Sequence, residues 1–443
     1  MSEPAPRRPP EREARRKPRL PRPRVLSLPP ADSPPLLARP SRQIGVGGGT
    51  IGRLERQFVN DVLDRGRLTY GHYTQTFEQE FARLHDRTFA LFCNSGTSAL
   101  QVAIHALKRT DRWRDGDEVI VPAVTFVASV NVILQNGLRP VFVDVDPDYY
   151  AIDPTLIEEK ITKRTRAIMP VHVFGQPCDM DPIMALARDH SLRVIEDSCE
   201  AMFVRYHGAP VGSHGDIACF STYMAHLLTT GVGGFAATND PELALSMKSL
   251  FNHGRDGIYL SIDDDNTENP AALFQVVARR FNFIDVGYSY RATEMEAAIG
   301  LAQIQNWEEI IASRQRNAAA LTAGLADLSH RLQLPRVRAG NDHAFMVYPI
   351  VVQPPVNREE LVFFLERELI ETRYMLPLLN QPVYRQLFGD LEPSFPVARQ
   401  INRNGFYIGC HSEIGQPEID YIVDRFHAFF EDARQAKAGA QAE

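Results

Sequence analysis

The chain has 443 residues, of which 44% are hydrophobic, so it is long enough to bury a large core and to form two lobes. Its formal net charge of −7 gives no reason to expect nucleic-acid binding. There is no run of about 18 apolar residues and no apolar N-terminal segment, so we expect neither a transmembrane helix nor a secretory signal.

The first 43 residues differ in composition from the rest of the chain. They contain 12 of the 31 prolines, and 11 basic residues against four acidic ones. Such a segment cannot bury enough apolar surface to order itself, so we predict a disordered tail over residues 1–43. Its positive charge can lie against the acidic body or reach an acidic partner. A transit peptide is disfavoured, because the segment is proline-rich rather than amphipathic.

Residues 50–200 alternate between helical and strand patterns. Apolar periodicity predicts helices over 53–64 and 74–85, a strand over 89–93, and a helix over 98–108. Further strands are predicted over 118–121, 140–144, 167–171 and 194–196, and further helices over 128–136 and 180–190. This alternation predicts an α/β fold with a mostly parallel sheet covered by helices on both faces.

The second half of the chain predicts a smaller α+β lobe. The acidic, turn-rich segment 263–270 is expected to be a surface insertion, and a long helical stretch over 292–325 leads out of the first lobe. A strand over 345–352 and helices over 358–369 and 417–435 follow. We therefore predict a large domain over 44–315 and a small domain over 316–443.

Five cysteines lie far apart, without the close pairs of a zinc site or a disulfide framework. Free thiols in this pattern are typical of a reducing compartment. We therefore predict a cytoplasmic protein with no structural metal. The cysteines are Cys93, Cys178, Cys199, Cys219 and Cys410.

Two segments of the first lobe suit a phosphate and a flat ring. Ser95, Gly96 and Thr97 form a strand-to-helix turn, where free N–H groups and hydroxyls can bind a phosphate, although such a turn is also an ordinary helix cap. Phe126 follows a predicted strand and can stack on a heterocycle, although an isolated phenylalanine is more often part of the core.

Two further segments complete a candidate cofactor site. Asp197 ends a strand, where open parallel sheets bind ligands, and its carboxylate can keep a pyridinium nitrogen protonated. It can equally be a helix cap or a surface residue. Ser221 ends another strand before a polar turn, and His226 follows five residues later. A lone histidine is usually structural, but its place within this ordered set favours a role in catalysis.

Several segments resemble, in order and spacing, the DegT/DnrJ/EryC1/StrS sugar aminotransferase family, which acts on nucleotide-linked keto sugars. The resemblance covers roughly residues 66–426 and implies the type I fold of enzymes that use pyridoxal phosphate (PLP), in a homodimer with active sites at the subunit interface. The segments are GRLTYGHYTQTFEQEFA, NSGTSAL, TFVASVNVILQNGLRPVFVDVD, HVFGQPCDMDPI, EDSCEA, Ser221–Gly234 and SYRATEMEAAIGLAQIQ.

The chain departs from the aminotransferases at the cofactor lysine, whose position is occupied by His226. Imidazole cannot form the Schiff base with PLP, but it can transfer protons near neutral pH. The same substitution occurs in a lysine-less branch similar to GDP-4-keto-6-deoxymannose 3-dehydratase. Features shared with that branch are Glu200 in EDSCEA, the Ala225-His226 pair, HGRD, IETR, Asn380-Gln381-Pro382 and FYIGCH.

This resemblance implies a dehydration with non-covalently bound pyridoxamine phosphate (PMP). PMP condenses with the C4 ketone of the sugar, His226 removes a proton from carbon C4′ of the cofactor, and the 3-hydroxyl group leaves. HGRD is followed directly by Gly257-Ile258-Tyr259, without the cysteines that the iron–sulfur type carries there, so an iron–sulfur cluster is disfavoured and an amino acid such as glutamate would regenerate PMP. The implied cofactor contacts are Ser95, Gly96, Thr97, Phe126, Asp197, Glu200 and Ser221, and the implied substrate contacts are Arg291, Arg373 and Asn380.

Three residues near His226 differ from that branch, and they leave alternatives open. Met224 replaces a proline, Leu227 a histidine and Val232 a glutamate. The chain can therefore catalyse another lysine-less reaction, such as sugar aminotransfer, half-transamination or isomerisation. It can also be an inactive homologue that binds a nucleotide sugar or regulates an active partner.

Overall fold

The computed structural model describes residues 39–257 and 269–440. Most of the predicted tail and of the predicted acidic insertion therefore lies outside the described residues. The helices are α1 (Arg53–Arg65), α2 (His72–Leu84), α3 (Gly96–Thr110), α4 (Val127–Gln135), α5 (Met180–Asp189), α6 (Pro241–Phe251), α7 (Pro270–Arg279), α8 (Glu294–Gln303), α9 (Trp307–Gly324), α10 (Arg358–Arg367), α11 (Pro382–Phe388), α12 (Pro396–Asn404) and α13 (Gln416–Ala440).

The strands form two main sheets and one short hairpin. They are β1 (Phe89–Cys93), β2 (Glu118–Pro122), β3 (Arg139–Val143), β4 (Thr165–Ile168), β5 (Arg193–Asp197), β6 (Arg205–Tyr206), β7 (Ala209–Pro210), β8 (Ile217–Ser221), β9 (Gly234–Thr238), β10 (Leu332–Gln333), β11 (Tyr348–Val352), β12 (Arg373–Tyr374) and β13 (Gly405–Ile408).

The large sheet has seven strands in the order β1-β9-β8-β5-β4-β2-β3. All of its neighbouring pairs are parallel except those made by β9, which runs antiparallel to both β1 and β8. Strands β2, β8 and β9 are buried along their whole length, as expected for a sheet covered on both faces. The predicted mostly parallel sheet is confirmed.

The small sheet is antiparallel, in the order β10-β11-β13-β12, and packs against α9, α10 and α13 around its own apolar core. Asp144, at the end of β3, accepts hydrogen bonds from the backbone N–H groups of Val397 and Ala398 at the start of α12 (3.0 and 2.8 Å). The predicted boundary between residues 315 and 316 falls inside α9, which contributes to this core.

Some predicted elements have different bounds in the structure. The helical stretch over 292–325 is divided into α8 and α9 by a 3₁₀ turn at Ile304–Asn306, because Asn306 leaves helical geometry (φ −116°, ψ 20°). The predicted strand over 167–171 ends at Ile168, before Pro170, which has no N–H to donate. Strand β9 was missed, since its sequence GFAAT has small residues and follows a glycine-rich bend.

The described residues contain no helix that is both long enough and apolar enough to cross a membrane. All five cysteines are free thiols. Four of them are buried in the core, and Cys199 is half-buried beside Asp197. The cysteines therefore contribute no covalent link to this fold.

Candidate functional site

The turn before α3 presents free donors at a helix N-terminus. The Ser95 hydroxyl oxygen accepts a hydrogen bond from the N–H group of Ser98 (3.1 Å) and so caps the helix. The N–H groups of Gly96 and Thr97 occupy the first helical positions and have no acceptor within the helix. This turn can therefore bind an anion, as the sequence predicted, while Ser95 itself acts as the cap.

Three segments meet tightly at this turn. A Cβ atom added to Gly96 would lie 2.8 Å from both Ser221 Cβ and Cys199 Sγ, and one added to Gly234 would lie 2.4 Å from Gly96 N. Only glycine at 96 and 234 lets the helix N-terminus approach β8 and β9 this closely. The Ser221 hydroxyl is thereby held beside the free N–H groups of α3, which makes a cradle that fits a phosphate.

Asp197 lies buried at the end of β5. The Ser129 hydroxyl donates a hydrogen bond to Oδ2 (2.7 Å) and the N–H of Cys199 donates one to Oδ1 (3.2 Å). Burial raises the pKa of Asp197, because the carboxylate loses solvation, while its hydrogen bonds and the charge of His172 act in the opposite direction. A protonated ring nitrogen would further stabilise the ionised carboxylate. Ser129 was not predicted, although it lies one helical turn after Phe126.

Glu200 lies between the large sheet and β13. Its Oε2 accepts a hydrogen bond from the N–H of Phe174 (2.6 Å), and burial raises the pKa of Glu200 to about 7. The Tyr407 ring lies 6.0 Å from that of Phe174, and the charges of Glu200 and Arg373 both act on its hydroxyl. Tyr407, which was not predicted as a site residue, therefore links the cofactor side to the small sheet.

Phe126 is an exposed aromatic ring at the N-cap of α4. Its fractional exposure is 56%, which is unusual for a large apolar side chain in this buried part of the fold. The core alternative for Phe126 is therefore wrong. Ser129, in the first turn of the same helix, donates to Asp197, so Phe126 begins the helix that contacts this carboxylate.

His226 lies at the end of a short turn that starts at Ser221. Its N–H donates to the Tyr223 carbonyl (2.8 Å), and the N–H of Tyr223 donates to the Ser221 hydroxyl (3.4 Å). The residue is half-buried, and its Nδ1 atom is shielded from solvent without a hydrogen-bond partner. Burial lowers the pKa of His226 to about 4, so the imidazole is neutral at neutral pH and can accept a proton.

The three residues that differ from the lysine-less branch lie on both sides of His226. Met224 and Val232 are exposed on the rim of the turn (41% and 50%), whereas Leu227 is buried in the core. The Thr229 hydroxyl lies 3.2 Å from the Met224 sulfur atom. The rim of the site is thus apolar at Val232, where the lysine-less branch carries a glutamate.

A glycine-rich segment at residues 46–50, here called the strap, lies against the His226 turn. A Cβ atom on Gly47 would be 2.8 Å from Ala225 Cα. The N–H of Val46 donates to Glu371 (2.8 Å), which also pairs with Arg373. The strap was not among the predicted site segments, although its three consecutive glycines were a signal for close backbone approach.

The three predicted substrate residues lie around these groups rather than in contact with them. Arg373 is exposed on β12, opposite Tyr407 of β13. Asn380 ends a 3₁₀ turn before α11, and its buried Oδ1 atom has no partner. Arg291 bonds His253 (3.3 Å) and follows Tyr290, whose carbonyl accepts from the N–H of Asn94 beside Ser95. A role of these three residues in binding substrate stays a prediction.

No described lysine takes the place of the missing one. The chain has six lysines, and the side chains of four are described. The amine of Lys108 bonds Asp115, that of Lys160 pairs with Glu159, and that of Lys248 lies over the Tyr70 ring. Lys163 lines a groove at the opposite, amino ends of the parallel strands. None of these contacts involves a residue of the candidate site.

The family assignment follows from the match to known sequences. The pattern of the DegT/DnrJ/EryC1/StrS aminotransferase family matches residues 50–427. The chain belongs to this family. A GDP-perosamine synthase of Caulobacter vibrioides is 35% identical over 385 residues, covering 86% of this chain and 96% of that protein. A dTDP-4-dehydro-2,6-dideoxy-D-glucose 3-dehydratase of Saccharopolyspora spinosa is 32% identical, covering 90% and 88%.

Solved structures of the family have the same fold. The E. coli GDP-4-keto-6-deoxy-D-mannose-3-dehydratase with bound hydrated PLP superposes with a TM-score of 0.76 at 26% identity, covering 87% of this chain and 99% of that one. A GDP-4-keto-6-deoxymannose-3-dehydratase with a trapped PLP-glutamate geminal diamine gives the same TM-score and identity, covering 86% and 99%. The predicted family, the type I fold, the enzymatic character and the PLP or PMP cofactor are confirmed.

Proposed function

We propose that this enzyme removes the 3-hydroxyl group of a nucleotide-linked 4-keto-6-deoxy sugar, using non-covalently bound PMP. The observation that carries the proposal is a neutral, half-buried imidazole, His226, where the family has its cofactor lysine. None of the four described lysines contacts the candidate site, so none of them offers covalent attachment. A proton-transfer group in a site without a Schiff-base lysine suits elimination better than the usual aminotransfer.

Each residue of the cradle has a role in holding the cofactor. Gly96, Thr97 and Ser221 bind the phosphate through N–H and hydroxyl groups, Asp197 keeps the ring nitrogen protonated, and Phe126 covers the ring. When bound, PMP supplies the amine that joins the sugar ketone and the ring that takes up electrons. Glu200 lies on the Tyr407 side, where its raised pKa lets it carry a proton at neutral pH.

His226 moves the proton. Its pKa of about 4 keeps the imidazole unprotonated before the reaction, so it can take a proton from carbon C4′ of the cofactor. Arg373 and Asn380 contact the sugar or the diphosphate, and Arg291 is a further candidate for this contact. Glutamate is proposed as the amino donor, which is supported by the similar dehydratase trapped with PLP and glutamate.

Aminotransfer is the second candidate, and it is favoured by the 35% identity to a GDP-perosamine synthase. The apolar rim made by Met224 and Val232 also differs from the dehydratase branch. An inactive, regulatory homologue would not be expected to keep Asp197 with its Ser129 hydrogen bond, the exposed ring of Phe126 and the glycine-lined phosphate cradle together.

The test begins with the purified protein, PLP and glutamate. We expect the absorbance to shift from about 390–415 nm to about 330 nm as PMP forms. Borohydride reduction of the PLP-loaded protein should leave no pyridoxyl group at residue 226. Nucleotide-linked 4-keto-6-deoxy sugars are then supplied, and mass spectrometry is used to detect a 3-deoxy product that has one oxygen atom fewer than the substrate, with PMP converted to PLP and its amine released as ammonia. A product that has gained an amine instead would establish aminotransfer, and absence of cofactor binding would favour the inactive homologue.

We also propose that the enzyme is a homodimer. Large apolar side chains are exposed in the stretch from α7 to residue 286, with exposures of 70% at Phe274, 78% at Phe281 and 84% at Val286. A patch of this kind marks an interaction surface. The stretch continues directly into Tyr288–Arg291 beside the Ser95 turn, so a second copy that covers it would reach the candidate site.

Light scattering on a sizing column tests the dimer. The wild type should have a mass of about twice 49.8 kDa, and the double variant Phe281→Asp, Val286→Asp should move towards the monomer mass. The matched control is Phe363→Asp, which changes an exposed phenylalanine (56%) of α10 in the small lobe. A monomeric wild type at micromolar concentration would contradict the proposal.

A further inference from the structure

Arg314 is a buried arginine of α9 that pairs with no carboxylate of the described residues. Its exposure is 2%, and burial lowers its pKa. The other buried arginines of the described chain, Arg87 and Arg425, each lie within 3.5 Å of a carboxylate, that of Glu196 or Asp424. Because an unpaired buried charge is costly, the contacts that Arg314 makes need an explanation.

All acceptors of Arg314 are backbone carbonyls. Its Nη1 atom donates to the carbonyls of Phe345 (3.2 Å) and Met346 (2.7 Å), and its Nη2 atom donates to the carbonyl of His226 (3.3 Å). The rigid guanidinium fork thus joins α9, the segment before β11 and the His226 turn. Its Nε atom is buried without a partner.

The geometry assigns Arg314 as a positioning residue for His226, an inference that rests on the proposed function. The hydrogen bond to the carbonyl fixes the turn from which the imidazole projects. The same guanidinium, bonded to the His226 carbonyl, places a positive charge near the imidazole, and this charge opposes its protonation before the reaction. Arg314 is too deeply buried to contact a substrate, so it acts only through His226.

The other titratable groups near this turn do not supply this charge. Tyr223 lies on the turn itself, with its ring 6.1 Å from that of His226. After β13, Cys410 is a buried thiol, and burial lowers the pKa of His411 to about 4, so that imidazole is uncharged. Glu413 donates through its N–H to His411 Nδ1 (3.3 Å) and accepts at its carboxylate from Thr50 (2.8 Å). Arg314 is therefore the cation that acts on His226.

The experiment measures the titration of His226 directly, in the protein without cofactor or substrate. Hydrogen exchange at the imidazole Cε1 carbon, read by mass spectrometry on the peptide that contains residue 226, gives its pKa in each variant. In Arg314→Gln the pKa of His226 should rise by at least about half a unit, since one of its depressing causes is removed. The kcat for dehydration should fall about tenfold or more, with KM changed less.

Two further variants separate the roles of Arg314. Arg316→Gln alters an exposed arginine of the same helix and should leave both the titration and kcat unchanged. Arg314→Lys keeps the charge but not the fork, so His226 should titrate as in the wild type while kcat still falls. If Arg314→Gln does not fold, the test rests on Arg314→Lys. A kcat of Arg314→Lys equal to that of the wild type would overturn the inference.

An unchanged titration of His226 in a folded Arg314→Gln variant would also overturn it. The titration results, unlike the kcat values, are independent of whether the wild type dehydrates a sugar, because the titration needs no substrate. If the wild type shows no dehydration but Arg314→Gln still shifts the titration, the proposed function fails and the link between Arg314 and His226 stands.

Discussion

Replacing His226 with asparagine is expected to lower kcat for dehydration about 10³-fold, while the affinity for PMP changes only a few-fold. Asparagine is close to imidazole in size and polarity but cannot transfer a proton. The cofactor contacts assigned to Asp197, Phe126 and the Ser95 turn do not involve residue 226. Single-turnover kinetics with PMP-loaded protein and a binding titration followed by absorbance measure the two effects separately.

The matched control for this variant is His330→Asn, which removes an imidazole from the surface of the small lobe, where its Nδ1 contacts a backbone carbonyl. Its kcat should equal that of the wild type. Residual turnover of His226→Asn above about a tenth of the wild-type value would remove His226 from the acid–base role. A parallel loss of PMP binding would instead indicate that residue 226 supports the cradle.

The second large effect is expected on stability, from Glu196→Gln. Glu196 is fully buried behind Asp197 and pairs with Arg87 (3.5 Å). It also accepts from the N–H groups of His214 (2.8 Å) and Gly215 (2.6 Å).

A fourth donor to Glu196 is His172. The N–H of Cys178 donates to His172 Nδ1, so His172 donates through Nε2 to Glu196 (3.2 Å). Glutamine would leave the Arg87 charge unbalanced, which should lower the free energy of unfolding by about 3 kcal/mol.

The pH dependence of this effect has a defined sign. These donors lower the pKa of Glu196 from 4.5 to about 2, so its contribution is present above pH 4.5 and is lost as the pH falls towards 2. Urea unfolding should therefore show a large difference between wild type and Glu196→Gln at pH 7 and a smaller one at pH 3.5. The control Glu80→Gln removes an exposed pair with Arg83 and should cost less than about 0.5 kcal/mol. A loss below about 1 kcal/mol for Glu196→Gln at pH 7 would contradict this assignment.

The sequence was sufficient for the parts of the fold that depend on local periodicity. The strand at Phe89–Cys93 was predicted with its observed bounds, and α1, α4 and α5 within one residue, because each combines a clear apolar period with a polar or glycine boundary. The candidate cradle was also predictable, since serine and glycine at the start of a helix and an acid at the end of a strand have local signatures.

The remaining site residues depend on contacts between distant segments. Arg314 resembles any arginine of a surface helix until α9 is packed against the His226 turn, 88 residues earlier in the chain. Tyr407, on β13 of the small sheet, comes close to Glu200 only because its ring packs against Phe174 of the large lobe. No local pattern encodes such contacts. Arginines on helices are mostly exposed, whereas Arg314 is buried.

The strap has a practical consequence for how the protein is produced. Only three residues separate the end of the predicted tail from Gly47, which touches the residue before His226. A chain trimmed at residue 43 would place a new charged amino terminus, or the remnant of an affinity tag, at Ile44, whose N–H donates to the Leu369 carbonyl (2.8 Å) only three residues before Gly47. Carboxy-terminal tags after α13, or trimming that stops before Arg39, would leave this segment as the native chain builds it.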